Sequence, residues 1–273
     1  MLVLSIVMPV YNEAATIARA VERVLAVDYP CPVELIVVDD GSSDNTPEIL
    51  RTFAERGVIT LCRPFNRGKG AAVKRGVGQA TGTHLLILDA DLEYDPADIP
   101  QLLGPVLDGV SDHVFGARLF GFNTRFPSYR FALGGRLTTA AANALFDACL
   151  TDMHACLKLI PVAHFRALSL IEPRFGFDTE MTAALLHSGV RPYEVPITYL
   201  GRRVGEGKKI TWQDGFTCLR VILAVRLAPS VELPTGPFVS GTVVVPLRTA
   251  VAAPALPEPS HRVLHAAAAQ TAT

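Results

Sequence analysis

Leu85-Leu86-Ile87-Leu88-Asp89-Ala90-Asp91-Leu92-Glu93 decides how the rest of the chain is read. Four aliphatic residues in a row, too few for a helix, read as a strand buried on both faces, the habit of parallel sheets. Two acids follow it, Asp89 and Asp91, and a third, Glu93, stands two positions on. In open parallel sheets the carboxyl ends of the strands are where ligands bind. A pair of acids placed directly after a buried strand is therefore read as chemistry before it is read as a turn.

Working outward, the same pattern recurs upstream. Leu2 to Val10 is a continuous apolar run that ends in Pro9-Val10-Tyr11-Asn12-Glu13, and Leu35-Ile36-Val37-Val38 ends in Asp39-Asp40-Gly41-Ser42. Between the strands lie helical patterns. Asn12 is placed to cap a helix carrying Ile17, Val21, Val24 and Leu25, and Asp44 or Thr46 to cap one carrying Ile49, Leu50 and Phe53. Val58 to Cys62 reads as a strand, Gly70 to Ala80 as a helix, and Asp95-Pro96-Ala97-Asp98 as the start of another. This alternation predicts one α/β domain with a mostly parallel sheet, helices on its faces and right-handed crossovers.

The second half is less regular. Helices are expected over Leu133 to Leu150, Asp178 to His187 and the end of Lys208 to Leu227, with strands over Cys156 to Ile160 and Tyr193 to Tyr199. After Ala228 the chain turns rich in Pro, Ala, Val and Thr. The reading is a domain over residues 1–228 and a poorly ordered tail over 229–273.

Composition narrows the class. With 49% hydrophobic and 19% charged residues and a net charge of -1, the 273-residue chain reads as globular and gives no sign of binding nucleic acid. Five cysteines without a Cys-x-x-Cys pair suggest neither a disulfide framework nor a zinc site, so a reducing, cytoplasmic setting is expected. The apolar opening reads as a strand rather than a leader. Phe238 to Leu256 comes nearest to the ~18 apolar residues of a membrane span, but Pro246, Arg248 and Pro254 interrupt it.

The acids at three strand ends repel one another, so a bound cation or a donor-rich ligand is the natural compensation. Asp89-x-Asp91-x-Glu93, read as extended, sets its oxygens on one side and suits a hard octahedral ion, Mg²⁺ or Mn²⁺, completed by ligand phosphates. Asp39 is placed to accept hydrogen bonds from a base or ribose. A P-loop is absent from the sequence, and Gly68-Lys69-Gly70 instead lets backbone approach a ligand while Lys69 or Arg67 balances charge.

Taken together, Pro9-Val10-Tyr11-Asn12-Glu13, Val38-Asp39-Asp40-Gly41-Ser42-Ser43-Asp44, Asn66-x-Gly68-Lys69-Gly70 and Asp89-Ala90-Asp91 resemble the family 2 glycosyltransferases, over roughly residues 3–227. Within that family the chain is similar to the dolichol- or polyprenol-phosphate mannosyltransferases. The resemblance implies a Rossmann-like GT-A fold, a nucleoside-diphosphate sugar donor of the GDP-mannose or UDP-glucose type, a divalent metal and inversion at the anomeric carbon. It assigns Pro9, Tyr11, Glu13 and Asp39 to the nucleotide. Asp89, Ala90 and Asp91 fall to the metal and diphosphate, with Glu93 as a further ligand. Arg118, Arg202 and Lys208 fall near the donor phosphates. Asp152-Met153-His154-Ala155-Cys156-Leu157-Lys158 stands where the family has Asp-x-x-Ser/Thr-Gly-Phe/Tyr-Lys/Arg and departs from it at the small residues.

For the acceptor, the chain between His113 and Phe146 holds Arg118, Arg125, Arg130 and Arg136, five interleaved aromatics and no acid. Such a stretch can grip an anionic headgroup and meet a lipid surface, which fits a polyprenyl-phosphate acceptor and peripheral membrane contact. The apolar helix Phe216 to Leu227, with two arginines, could lie in a membrane interface or close the core. A hydroxyl acceptor would instead need a base, with Asp152 the candidate. A nucleotide-sugar-binding protein without catalysis is the remaining alternative.

Overall fold

The computed structural model describes residues 1–119, 123–174, 176–202, 212–236 and 238, without the side chains of 212–214. Residues Met1–Gly241 form one compact unit.

Strand β1 (Leu4–Val10) is buried along its whole length, as its unbroken apolar run requires. It pairs in parallel with β2 (Val33–Asp39) on one side and β4 (His84–Ile87) on the other, and β2 pairs in parallel with β3 (Ile59–Cys62). The crossovers are α1 (Ile17–Leu25), α2 (Thr46–Ala54) and α3 (Lys69–Gln79). Helix α3 lies unusually close to the sheet because Gly76 faces Val7, whose Cγ1 would stand 2.6 Å from any added Cβ. Beyond β4, a 3₁₀ turn capped by Asp95 leads into α4 (Ile99–Leu107). β5 (Val114–Ala117), the short β6 (Thr124–Arg125) and α5 (Tyr129–Phe146) follow.

β7 (Lys158–Pro161) then enters between β4 and β5 and runs antiparallel to both. Helices α6 (Val162–Ala167) and α7 (Gly176–His187) lead to β8 (Tyr193–Pro196), β9 (Tyr199–Leu200) and α8 (Trp212–Leu227). The seven-stranded order is β3-β2-β1-β4-β7-β5-β8, with β6 and β9 forming a separate pair. The mixed α/β fold expected from the sequence is the one observed. Among the described residues no helix is long and apolar enough to cross a membrane.

Several local expectations need correction. Asn12 does not cap α1, which starts four residues later at Thr16. Asn12 is left-handed (φ 53°) and ties two loops together, accepting from Ser43 N at 2.8 Å while its own N–H donates to Ser42 Oγ at 2.9 Å. Asp44 also reaches across, accepting from Ala14 N at 3.0 Å. The acidic segment after β4 is a tight turn rather than extended chain: Leu92 is left-handed (φ 63°) and Asp91 Oδ1 accepts from Glu93 N at 3.0 Å. α5 starts at Tyr129, earlier than expected, because Ser128 caps it through Phe131 N. Tyr193 to Tyr199 is two strands in two sheets, split after Pro196.

Candidate active site

The loops after β1, β2 and β4 open onto one cleft of about 350 Å³. Its lining carries the acids Glu13, Asp40, Asp89, Asp91, Glu93 and Asp178 and the cations Lys69, Arg118, Arg174 and Arg202. The β1 and β2 loops are zipped together by the Asn12, Asp44 and Thr46 hydrogen bonds, the last from Glu13 N to Thr46 Oγ1 at 3.1 Å. Pro9, Tyr11 and Ala90 line the same cleft. Asp39 is buried and turned into its own loop, where Oδ1 accepts from Ser42 N and Ser42 Oγ. Its neighbour Asp40 lines the cleft instead and holds the third loop, accepting from Arg67 N at 3.0 Å and Gly68 N at 2.6 Å. That loop requires a glycine: Gly68 has φ 100°, and a Cβ there would meet Pro173 O at 2.4 Å.

The acids are held at graded depth. Asp89 accepts from Lys69 Nζ at 2.9 Å, and Lys69 also donates to Asp178 at 2.8 Å. Burial works against the Lys69 charge, yet Asp178 and Asp89 more than offset it and keep the ammonium protonated well above the ordinary lysine range. Lys69 is thus a buried counter-ion under the cleft, and its Cys156 neighbour at 3.4 Å is a thiol pushed up by burial. Asp91 is pushed up to about 7, first by burial and then by Asp89 and Glu93. Glu93 is engaged by Tyr199 Oη at 2.9 Å and by Arg202 N at 2.8 Å. The Arg202 guanidinium spans three strand-end acids, at 3.2 Å from Asp91, 3.5 Å from Glu13 and 3.8 Å from Glu93.

The residues fit a divalent ion in one particular way. Among the described residues no three Asp, Glu, His or Cys side chains converge as a ready cage. Asp89 and Asp91 supply hard carboxylate oxygens at the cleft, and Asp91 stands beside the further acids Asp89 and Glu93 with Arg202 as its counter-charge. Two carboxylates with the remaining ligands drawn from a bound molecule is the way Mg²⁺ is usually held.

Arg118 faces this group from β5. It grips Asp152 bidentately, Nε to Oδ2 at 2.6 Å and NH2 to Oδ1 at 2.9 Å, and lies 4.8 Å over the Tyr199 ring. Asp152, expected as a base, has both oxygens engaged by Arg118, and His154 N also donates to Oδ1 at 2.9 Å. Burial would raise its pKa, but Arg118 wins and holds the carboxyl well below the usual range. It is poorly placed to accept a proton. His154, half-buried beside it and pushed down to about 4 chiefly by desolvation, hydrogen-bonds Thr138 of α5.

Arg174, Asp178 and Tyr199 did not stand out in the sequence. They arrive from the segment before α7, from α7 and from β9, and no local pattern announces them. Arg125, Arg130 and Arg136 are exposed and do not line the cleft. Lys208, Phe120 and Phe122 lie outside the described residues.

The α/β sheet thus gathers strand-end acids and arginines into one cleft beyond the carboxyl ends of its parallel strands, where open α/β sheets bind ligands. Residues 5–162 match the sequence model described as Glycosyl transferase family 2, and the chain belongs to that family. It is similar to the low-salt glycan biosynthesis hexosyltransferase Agl6 of Haloferax volcanii, 31% identical over 81% of this chain and 53% of that one. It is also similar to the dodecaprenyl-phosphate galacturonate synthase of Rhizobium johnstonii, 31% identical over 75% of this chain and 61% of that one. The chain thus spans just over half the length of these relatives. In fold it matches a crystal structure of glucosyl-3-phosphoglycerate synthase from Mycobacterium tuberculosis with Mn²⁺, UDP and phosphoglyceric acid. The TM-score is 0.64, with 20% identity over 84% of this chain and 80% of that one.

Proposed function

We propose that the chain moves a sugar from a nucleoside-diphosphate sugar to a polyprenyl phosphate, with residues 1–228 as the catalytic unit. The observation that carries this reading is that one cleft is lined both by the carboxylates Asp89 and Asp91 and by Arg118, Arg174 and Arg202, with Arg202 in direct contact with Asp91. A donor diphosphate needs the acids, through a divalent ion; an anionic acceptor needs the arginines. The Rhizobium relative is named for a dodecaprenyl-phosphate product, and the M. tuberculosis structure was determined with Mn²⁺ and UDP. Both support the reading of acceptor, donor type and metal.

In this reading Asp89 and Asp91 hold Mg²⁺ or Mn²⁺. The ion would neutralise the diphosphate and help it leave. Glu93 supports the site through Tyr199 and the Arg202 backbone, and Lys69 fixes Asp89 from below. Pro9, Tyr11, Glu13 and the β2 loop that contains Asp39 frame the nucleotide. Arg118, held rigid by Asp152, orients the acceptor phosphate, assisted by Arg174. A phosphomonoester has a second pKa near 6, so it is already a nucleophile at neutral pH and needs no base. Its oxygen bonds to the anomeric carbon as the carbon–oxygen bond to the diphosphate breaks, giving inversion and a departing nucleoside diphosphate. Asp152, with both oxygens engaged by Arg118, speaks against the alternative of a hydroxyl acceptor with Asp152 as base. Replacing Asp152 by Asn tests the choice. The phosphate reading expects residual transfer and weaker acceptor binding as Arg118 loosens; complete loss of turnover with unchanged acceptor affinity would favour the base.

A further inference from the structure

Helices α5 and α8 share an unusual property. Each turns a row of large apolar side chains toward solvent. On α5 the row is Tyr129, Leu133 and Leu137, at 73%, 40% and 62% exposure, spaced by four residues. On α8 it is Phe216, Leu219, Leu223 and Leu227, at 67%, 38%, 50% and 85%, spaced by three or four. Helical spacing gathers each row into a stripe, and both helices bury a second face as well: Ala132, Thr138, Thr139, Ala142 and Phe146 on α5, Val221 and Ile222 on α8. Soluble proteins expose single large apolar residues freely, but two apolar stripes on neighbouring helices mark a contact surface.

Both helices border the cleft. Phe131, in the first turn of α5, lines it. Midway along α8, Cys218 accepts from Thr179 Oγ1 at 3.2 Å, and Thr179 follows the cleft residue Asp178. The far ends of the two helices meet where Arg226 Nε donates to Leu145 O at 3.0 Å. Arginine predominates on this pair of helices. α5 carries exposed Arg130 and Arg136 and no acid, and α8 carries Arg226 and Arg220, the latter paired with Glu172 at 2.8 Å, with Asp214 its one acidic residue, at the helix start.

We infer that the α5–α8 face docks on an anionic lipid bilayer, with the apolar stripes entering the interface and the arginines meeting lipid headgroups. This deepens the proposed function and rests on its lipid acceptor, since docking here sets the cleft mouth at the membrane surface. A second copy of the chain is the poorer occupant. A two-fold contact would press the same arginine-bearing patch against itself, and like charges would oppose it.

The test is flotation of the full chain with vesicles of phosphatidylcholine alone or with 30 mol% phosphatidylglycerol (about a third anionic lipid, enough to set a negative surface potential), without donor or polyprenyl phosphate. Binding to the anionic vesicles is expected, falling at least about tenfold in Leu219→Glu/Leu223→Glu. Arg130→Gln is expected to weaken it about fivefold at low salt, and Val110→Glu, exposed on another surface, to leave it unchanged. Donor binding in solution should be the same in all variants, which shows that they are folded. Absence of vesicle binding, binding unaffected by the Leu219/Leu223 pair, or a dimer in sedimentation velocity that this pair dissolves would each overturn the inference. Transfer to polyprenyl phosphate in detergent is scored separately, so the acceptor reading can survive the loss of this surface, and the surface can survive the loss of that reading.

Discussion

The two ends of the central sheet bury titratable groups in opposite ways. At the carboxyl end each acid faces a cation: Asp89 with Lys69, Asp91 with Arg202, Asp152 with Arg118. At the amino end lies a histidine cluster in which burial favours the neutral form of His84 and His113. His84 opens β4, His113 precedes β5 and His164 sits on α6, with His113 Nε2 2.8 Å from His164 Nδ1 and His164 Nε2 2.9 Å from Pro234 O. The Pro234 carbonyl can only accept, so His164 donates from Nε2 and in its neutral form accepts from His113. Burial first, then the neighbouring histidines, push His84 down to about 4 and His113 down to about 3; Asp112, 3.7 Å from His84, does not reverse this. The contrast separates strain kept for ligands from polarity kept for stability. Charge concentrated against its own sign awaits a partner. The hydrogen-bond chain from His113 through His164 to Pro234 O ties the C-terminal segment to the sheet.

The largest break in this contrast is expected at Asp91. Asp91→Asn should lower transfer by about three orders of magnitude, several kcal/mol of lost charge stabilisation. The same change should leave the melting temperature equal or higher, because it removes a buried charge whose pKa is pushed up to about 7. Kinetics with donor saturation and thermal unfolding of the same preparation check both halves. A fall in stability with normal turnover would make Asp91 a structural residue.

Arg118 sharpens the comparison, since it belongs to both function and stability. Arg118→Met leaves Asp152 buried without its partner and should destabilise the fold by about 3–5 kcal/mol. Adding Asp152→Leu should recover most of that stability but not the acceptor affinity. Denaturant titration and acceptor KM measured on the single and double variants separate the two contributions.

At the histidine end the effect is smaller and runs with pH. His84 and His113 have pKa values lowered in the folded chain, so between pH 6.5 and about 4 the unfolded chain binds more protons. Stability therefore holds above pH 6.5 and declines as pH falls, by up to about 1.4 kcal/mol per pH unit for each histidine. Melting temperatures between pH 8 and 4 should fall less steeply in His113→Asn; an unchanged slope would remove His113 from the cluster's role.

The strand ends were legible because four-residue aliphatic runs stop abruptly at acids, a pattern that burial on both faces imposes locally. The same logic located Asp89, Asp91 and Glu93, but not their shape. A left-handed Leu92 is dictated by the turn that tertiary contacts close, and nothing in its side chain signals it. Asn12 misled for a related reason, since the Ser42 and Ser43 groups that claim it lie some thirty positions away (|i−j| 30 and 31). Arg174 and Asp178 were invisible because their meaning depends on α7 being brought against Lys69, a contact 109 residues apart. Arg118, Arg125, Arg130 and Arg136 read as one cluster in the sequence, yet Arg125, Arg130 and Arg136 are exposed and of the four only Arg118 lines the cleft.

The central claim is that the acid pair at the end of β4 serves a donor diphosphate while arginines of the same cleft serve a phosphate acceptor. Its most direct test combines purified chain, Mn²⁺, polyprenyl phosphate in detergent and labelled GDP-mannose or UDP-glucose, and counts label in the organic phase. The account predicts organic-phase label that disappears with EDTA and with Asp91→Asn. Label that persists under both conditions, or donor turnover that never reaches the lipid while a hydroxyl acceptor is glycosylated, would contradict it.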